Sequence, residues 1–278
     1  MKTRRETSSG LSTAIRTTMA SSRNGNPLIE KNLPSAFSIK VANTLEEREA
    51  VFNLGYKVYL EKGFTNENAN ERLIQSYDAN SETVILIVQD QNKNLAGSVT
   101  LVFDGNSKLP AEKIYGDEIG TLKSSGNKMV ELSRLVISPE YRHSKEILVL
   151  LFNYLAIYSY HVKKYTHLVV EVNPRHKNYY NMLLCFEEIG GEKPCPSVQN
   201  APANLLILPL IKYRAEVVRC SKLTEQDKKE RSLYPYFIKS EQESLVAHYL
   251  KNQVKPMTSE EKLYFGFSES GISRAVCI

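Results

Sequence analysis

Apolar and polar positions alternate in short runs from Phe37 onward, and between these runs apolar residues recur every three or four positions, which predicts strands separated by helices. Phe37-Ser38-Ile39-Lys40-Val41 has the two-residue period of a half-buried strand. Thr44 then caps a helix, with Glu47 completing a capping box, and Leu45, Arg48, Val51, Phe52, Tyr56 and Tyr59 form one stripe that by itself reads as core. The β-branched run 83–89 and the run 95–103 flank a turn at 90–94 and predict a hairpin. Residues 109–119 lead through a short helix into a strand over 130–137. Beyond it Ser144 is placed as N-cap of a long apolar helix over 144–165, and residues 168–172 read as a buried strand of parallel type. Pro174 heads another amphipathic helix, expected to end at Gly190-Gly191, and residues 204–210 form the last strand. In the tail, Ser240-Glu241 and Thr258-Ser259 start helices whose leucines, tyrosines and phenylalanines are expected to dock on the rest.

Composition narrows the class. With 278 residues, 42% of them hydrophobic, the chain can bury one sizeable domain with additions. The expected division is a disordered, Ser- and Arg-rich arm at 1–34, a core at 35–212 and a helical extension at 213–278 packed on that core. A net charge of +5 is too modest to argue for nucleic acid but suits an acidic partner. Cys185, Cys195, Cys220 and Cys277 show no CxxC pairing and no secretory signal precedes them, so a cytoplasmic setting with free thiols is expected. His161 and His167, six residues apart, lack metal-ligand spacing, and no metal is expected. The longest apolar run, 147–160, is interrupted by Asn153 and is too short to span a membrane. Contact with lipid products would therefore be peripheral.

Chemistry concentrates in Met129-Val-Glu-Leu-Ser-Arg-Leu-Val-Ile-Ser-Pro139, where a carboxylate and a guanidinium stand inside an apolar strand stopped by proline. Side chains of a regular strand alternate, which would put Glu131 and Ser133 on one face and Leu132 and Arg134 on the other; a bulge would change that. Buried charges cost several kcal/mol unless paired, so Glu131 and Arg134 are either a structural ion pair or working groups. After Pro139 comes a basic turn and a helix start, an arrangement that offers free amides to a phosphate.

Strand, turn and long helix in this order resemble the cofactor-binding core of GNAT acetyltransferases, and Glu131-Leu132-Ser133-Arg134-Leu135 is similar to the Glu-x-x-Arg strand of acyl-homoserine lactone synthases. Gly55-Tyr56-Lys57-Val58-Tyr59 resembles the Arg-Tyr-x-Val-Tyr segment of long-chain N-acyl amino acid synthases, with Gly55 in place of the arginine. The segment 109–119, the Pro174-Arg175-His176 helix start and the Ala201-Pro202-Ala203 loop resemble the same synthases, so the likeness extends over about 37–212. It implies an α/β (α+β) GNAT-like acyltransferase fold, a mixed, mostly antiparallel sheet flanked by helices, and an N-acyltransferase that joins a long-chain acyl group to an amino-acid acceptor. It also implies that Asp78, Tyr56, Tyr59, Leu135 and Ile137 meet substrate, although Asp78 by itself reads more readily as an N-cap or turn residue holding backbone amides. Thr100 stands where lactone synthases carry an arginine, so lactone formation is not implied.

Amide formation from a thioester needs a neutral amine, a polarised carbonyl and a proton acceptor. Glu131 is the candidate base, while Arg134 either clamps the carboxylate of the acceptor or neutralises Glu131. The expected co-substrate is an acyl-phosphopantetheine thioester, with no covalently bound cofactor. No glycine lies between Arg142 and Ile147 to let the backbone close on the pyrophosphate of coenzyme A. Acyl carrier protein is therefore the favoured partner, docking on Arg142, His143, Ser144, Lys145 and Arg175, unless these charges are only a solvated face. The alternative function is a non-catalytic module that binds acyl chains or the carrier protein.

Overall fold

In a computed structural model, which describes residues 36–105, 107–223, 230–268 and 271–272, the alternating runs become seven strands: β1 (Phe37–Val41), β2 (Val84–Asp90), β3 (Leu95–Phe103), β4 (Met129–Ile137), β5 (His167–Val172), β6 (Glu187–Cys195) and β7 (Ala201–Pro209). The expected arm at 1–34 lies outside the described residues. The strands form one open sheet in the order β1-β2-β3-β4-β5-β7-β6, antiparallel throughout except for β4 beside β5. That parallel ladder is short. It joins Met129–Glu131 to His167–Val169 and stops, although β4 continues against β3 to Ile137 and β5 continues against β7 to Val172. Past the last rung the two central strands diverge, and β4 keeps one edge of main-chain groups that no strand of the described residues pairs.

Helices cover both faces. On one lie α1 (Leu45–Glu61) and α2 (Glu112–Ser124), and on the other α3 (Lys145–Ile157), which runs on into a π turn at Tyr158–Val162. Thr44 accepts the amide of Glu47 as predicted, whereas Ser144 occupies the N-cap position of α3 without a side-chain cap bond. Chains of alternate residues sort between the faces: Val130, Leu132, Leu168 and Val170 pack under α3, while Val102, Met129 and Val169 pack with Tyr115 and Ile119 of α2.

One boundary is corrected. The helix headed by Pro174, α4 (Pro174–Leu184), ends at Cys185, which takes a left-handed conformation (φ 61°) and closes the last turn onto Asn181 and Tyr180, and Gly190-Gly191 lie inside β6 instead. Glycine is needed there for contact, not for helix termination. A Cβ on Gly190 would stand 2.5 Å from the Tyr115 ring, whose hydroxyl is held by the carbonyls of Gly191 (2.9 Å) and Ala203 (2.6 Å).

After β7 the chain forms α5 (Leu210–Cys220), α6 (Glu243–Lys251) and α7 (Ser259–Tyr264). Leu233, Tyr234, Phe237, Val246 and Leu250 enter the α3-side core, and Phe265 and Phe267 join Val51 and Phe52 under α1. This helical C-terminal region thus touches both faces. No helix among the described residues is long and apolar enough to cross a membrane.

Candidate active site

The site lies where β4 and β5 part, on the face shared by α1 and α2. Its form comes from a bulge in β4: Ser98 opposes Val136 and Thr100 opposes Ser133, so two residues of β4, Arg134 and Leu135, stand against Val99 alone. Arg134 takes φ 46° to do this. The regular alternation that would put Arg134 beside Leu132 is broken, and Ser133 and Arg134 both face α1. Leu135 and Ile137 return to the opposite side and pack against the α3-side core.

Arg134 is 3% exposed, and both terminal nitrogens of its guanidinium are engaged, while Nε has no hydrogen-bond partner among the described residues. Nη1 donates to Asp78 Oδ2 (2.9 Å) and to the carbonyl of Leu73 (2.9 Å), and Nη2 donates to Asp78 Oδ1 (2.6 Å) and Thr100 Oγ1 (3.0 Å). The ring of Phe52 lies 4.9 Å from its carbon centre. Two expectations for Arg134 are thereby corrected: it neither pairs with Glu131 nor offers its fork to an acceptor carboxylate, because Asp78 fills that fork. Asp78, 3% exposed, also accepts the amide of Gln75, so its turn role and its pairing with Arg134 coexist.

Glu131 is 2% exposed, and its Oε2 accepts the amide of Ala111 (2.8 Å). Burial first, then the nearby charge of Glu171, pushes its carboxyl well above the ordinary range. Glu171, on β5, is half-buried and itself raised by burial; Cys195 Sγ stands 3.7 Å from its Oε2. Tyr77 and Ser133 join hydroxyls at 2.8 Å, and burial raises the Tyr77 phenol. Tyr59 is half-buried, with Arg134, Cys195 and Glu171 as its electrostatic neighbours. Tyr56 does not share that cleft; it is 5% exposed and its hydroxyl accepts the amide of Asn68, which makes it a fastener for the loop after α1.

The mouth of the cleft is at the C-terminal ends of β4 and β5, between the end of α1 and the starts of α3 and α4. Arg142 is ion-paired with Glu61, and Arg175 lies over Phe64 (5.9 Å). His176, lowered by burial and then by Arg175 and Lys62, shows that Lys62 belongs to the same group. His143 is exposed, and Lys145 is turned onto the Tyr236 ring (4.3 Å). The sequence does not single out Lys62, His176, Tyr77, Cys195 or Glu171 for this place. Only Glu171 carried a usable signal, a lone carboxylate in an apolar strand.

The model of the family described as N-acyl amino acid synthase FeeM matches residues 50–209. No curated protein matches the chain. Among solved structures, FeeM, an N-acyl amino acid synthase from uncultured soil microbes, aligns at 21% identity and TM-score 0.57 over 64% of this chain and 93% of its own. The acyl-homoserine lactone synthase LasI aligns at 16% identity and TM-score 0.50 over 64% of this chain and 91% of its own. An acetyltransferase of the GNAT family from Streptococcus pneumoniae aligns at 14% and 0.44 over 62% and 99%. The first two carry the fold: a GNAT-like sheet with flanking helices.

Proposed function

This chain belongs to the N-acyl amino acid synthase FeeM family and is an N-acyltransferase, and we propose that it moves a long-chain acyl group from acyl carrier protein to the amine of an amino acid. The observation that carries the choice of donor is the start of α3. Ser144, Lys145 and Glu146 stand where a diphosphate would need bare backbone; Lys145 is turned away onto Tyr236 and Glu146 is buried in the first turn, its carboxyl pushed up to about 7 by that burial. A carboxyl in this position opposes the pyrophosphate of coenzyme A. A carrier protein presents the same thioester arm with one phosphate and adds its own acidic surface, which suits Lys62, Arg142, His143, Arg175 and His176 at the mouth.

The pantetheine arm would lie along the unpaired edge of β4, where main-chain groups beyond Glu131 lack a strand partner and can bond an amide-rich chain. The bulge at Arg134 turns main-chain groups toward the thioester oxygen, and the Asp78–Arg134 pair holds that bulge rigid. Leu135 and Ile137, on the α3 side, suit the acyl tail, and Tyr59, Tyr77 and Ser133 line the space for the acceptor. The ammonium of the acceptor must lose a proton before attack. Two carboxyls stand at the point of divergence, Glu131 and Glu171.

One acyl chain, presented in turn on carrier protein and on coenzyme A with a mixture of amino acids and read by mass spectrometry, tests this reading. Acylated amino acid is expected from the carrier protein at lower donor concentration than from coenzyme A. Preferential use of the coenzyme A thioester would overturn the choice of donor, and acylation of other amines alone would overturn the choice of acceptor.

A further inference from the structure

The strand His167-Leu-Val-Val-Glu171-Val172 repeats the feature that singles out Glu131: one carboxylate in an apolar strand. The two belong to one place. Glu131 and Val169 form the last rung of the β4–β5 ladder, and Glu171 is the next residue of β5 on the face of Val169, the first beyond the rung. Their environments differ. Glu131 is closed in at 2% exposure with Oε2 on the Ala111 amide, whereas Glu171 is half-buried where the strands have parted.

Glu171 also has an unmet need. Its Oε2 takes the Cys195 thiol, but Oε1 is shielded from water and has no hydrogen-bond partner among the described residues. A shielded carboxylate oxygen without a donor is costly and uncommon in folded proteins. An ammonium group entering the cleft is the donor it lacks.

We infer that Glu171 is the base that takes the proton of the acceptor's ammonium group, and that Glu131, behind it, is a positioning residue. The inference rests on the acyltransferase reading and adds a residue to it. In the step, one N–H bond of the ammonium breaks and its proton goes to Glu171, leaving the nitrogen lone pair free. That pair forms the C–N bond at the thioester carbonyl, the C–S bond breaks, and the second proton of the nitrogen goes to the departing thiolate. Amide and thiol result, and Glu171 returns its proton to solvent.

The charges around Glu171 fit the role. It is faced by Glu131 from β4, Lys113 and Tyr115 from α2, Tyr59 from α1 and Cys195 from β6. Two neighbouring carboxyls resist double ionisation, so the more enclosed Glu131 keeps its proton and Glu171 carries the charge. Burial raises Glu171 toward the working pH, which favours a base, while Lys113 and the Cys195 thiol keep it ionisable.

The test compares Glu171→Gln, Glu171→Asp and Glu131→Gln in the full chain, with turnover followed across pH and carrier-protein binding measured as the folding control. Glu171→Gln is expected to lose about two to four orders of magnitude in kcat at neutral pH. That deficit should shrink toward alkaline pH, where free amine is already present, and Glu171→Asp should recover part of the turnover. Glu131→Gln should show a deficit that does not vary with pH. Near-normal turnover of Glu171→Gln, a deficit equal at every pH, or the pH-dependent deficit appearing in Glu131→Gln instead would overturn the assignment alone. A wild-type chain that acylates no amine would overturn the acyltransferase reading and this one with it.

Discussion

Arg134 holds a backbone conformation that a long side chain adopts only when its surroundings fix it, and each neighbour contributes to that fixing. Gly55 is one of them. A Cβ at Gly55 would lie 3.0 Å from Arg134 Cδ, so the glycine at this point of α1 makes room for the stem of Arg134 on its way to Asp78. Glu131 is the opposite case, a carboxyl raised by enclosure rather than held charged by a partner. Because its pKa is higher in the folded chain than the ordinary 4.5, the folded chain binds more proton between the two values, and stability falls as pH rises through that window. Glutamine at this position titrates nowhere. Thermal unfolding of Glu131→Gln should therefore show a gain over wild type that is absent in acid and grows from about pH 4.5 upward; a gap that stays constant with pH would mean that Glu131 is ionised in the folded protein.

The elements that frame the cleft are braced from outside the stretch that matches the family. Helix α7, with its Thr258–Glu261 capping box, is short, yet Phe265 just after it packs edge to face on Phe52 at 4.9 Å. Arg72 stacks on Tyr264 (4.6 Å) and Phe265 (5.6 Å) and pairs with Glu49, while Arg48 pairs with Glu261. Phe52 in turn is the ring beneath Arg134. The C-terminal strap thus supports the floor of the site through a single aromatic layer. Phe265→Ala should cost about 3–5 kcal/mol in denaturant unfolding, the range for a fully buried phenylalanine, and a loss below about 1 kcal/mol would show that the strap does not brace α1.

On the scale of the whole molecule, a net charge of +5 becomes meaningful only through its placement. Lys62, Arg142, Arg175 and His176 gather at the mouth of the cleft around a single carboxylate, Glu61, which Lys62 (3.6 Å) and Arg142 share, whereas Lys177, Lys193 and Lys212 are each matched by a carboxylate of their own, Glu188, Glu118 and Glu187. Surface charges of this kind steer encounter more than they set the chemical step. Lys62→Glu with Arg175→Glu is expected to raise KM for acyl carrier protein at low ionic strength with kcat little changed, and the difference from wild type should fade as salt is added. An unchanged KM at low salt would move the docking face elsewhere.

Periodicity in the sequence determined six of the seven strands, α1 and the long helix α3, because burying an alternating or a helical stripe depends on local spacing, and start signals marked α6 and the capped helix α7 of the tail. It also marked Glu131 and Arg134, since charge inside an apolar strand stands out without any fold. Only the tertiary structure decided what they do. Residues 78 and 134 are far apart in the chain, and the bulge that turns Arg134 to Asp78 depends on β3 opposite, on Gly55 behind and on Phe52 beneath. Strand β6, whose start reads as the tail of a helix, is formed by pairing with β7, and Tyr115 of α2 packs where a Cβ at Gly190 would stand. The cleft itself is a failure of pairing past Glu131 and Val169, and where two strands part is set by the twist and packing of the whole sheet, which no local run of residues encodes.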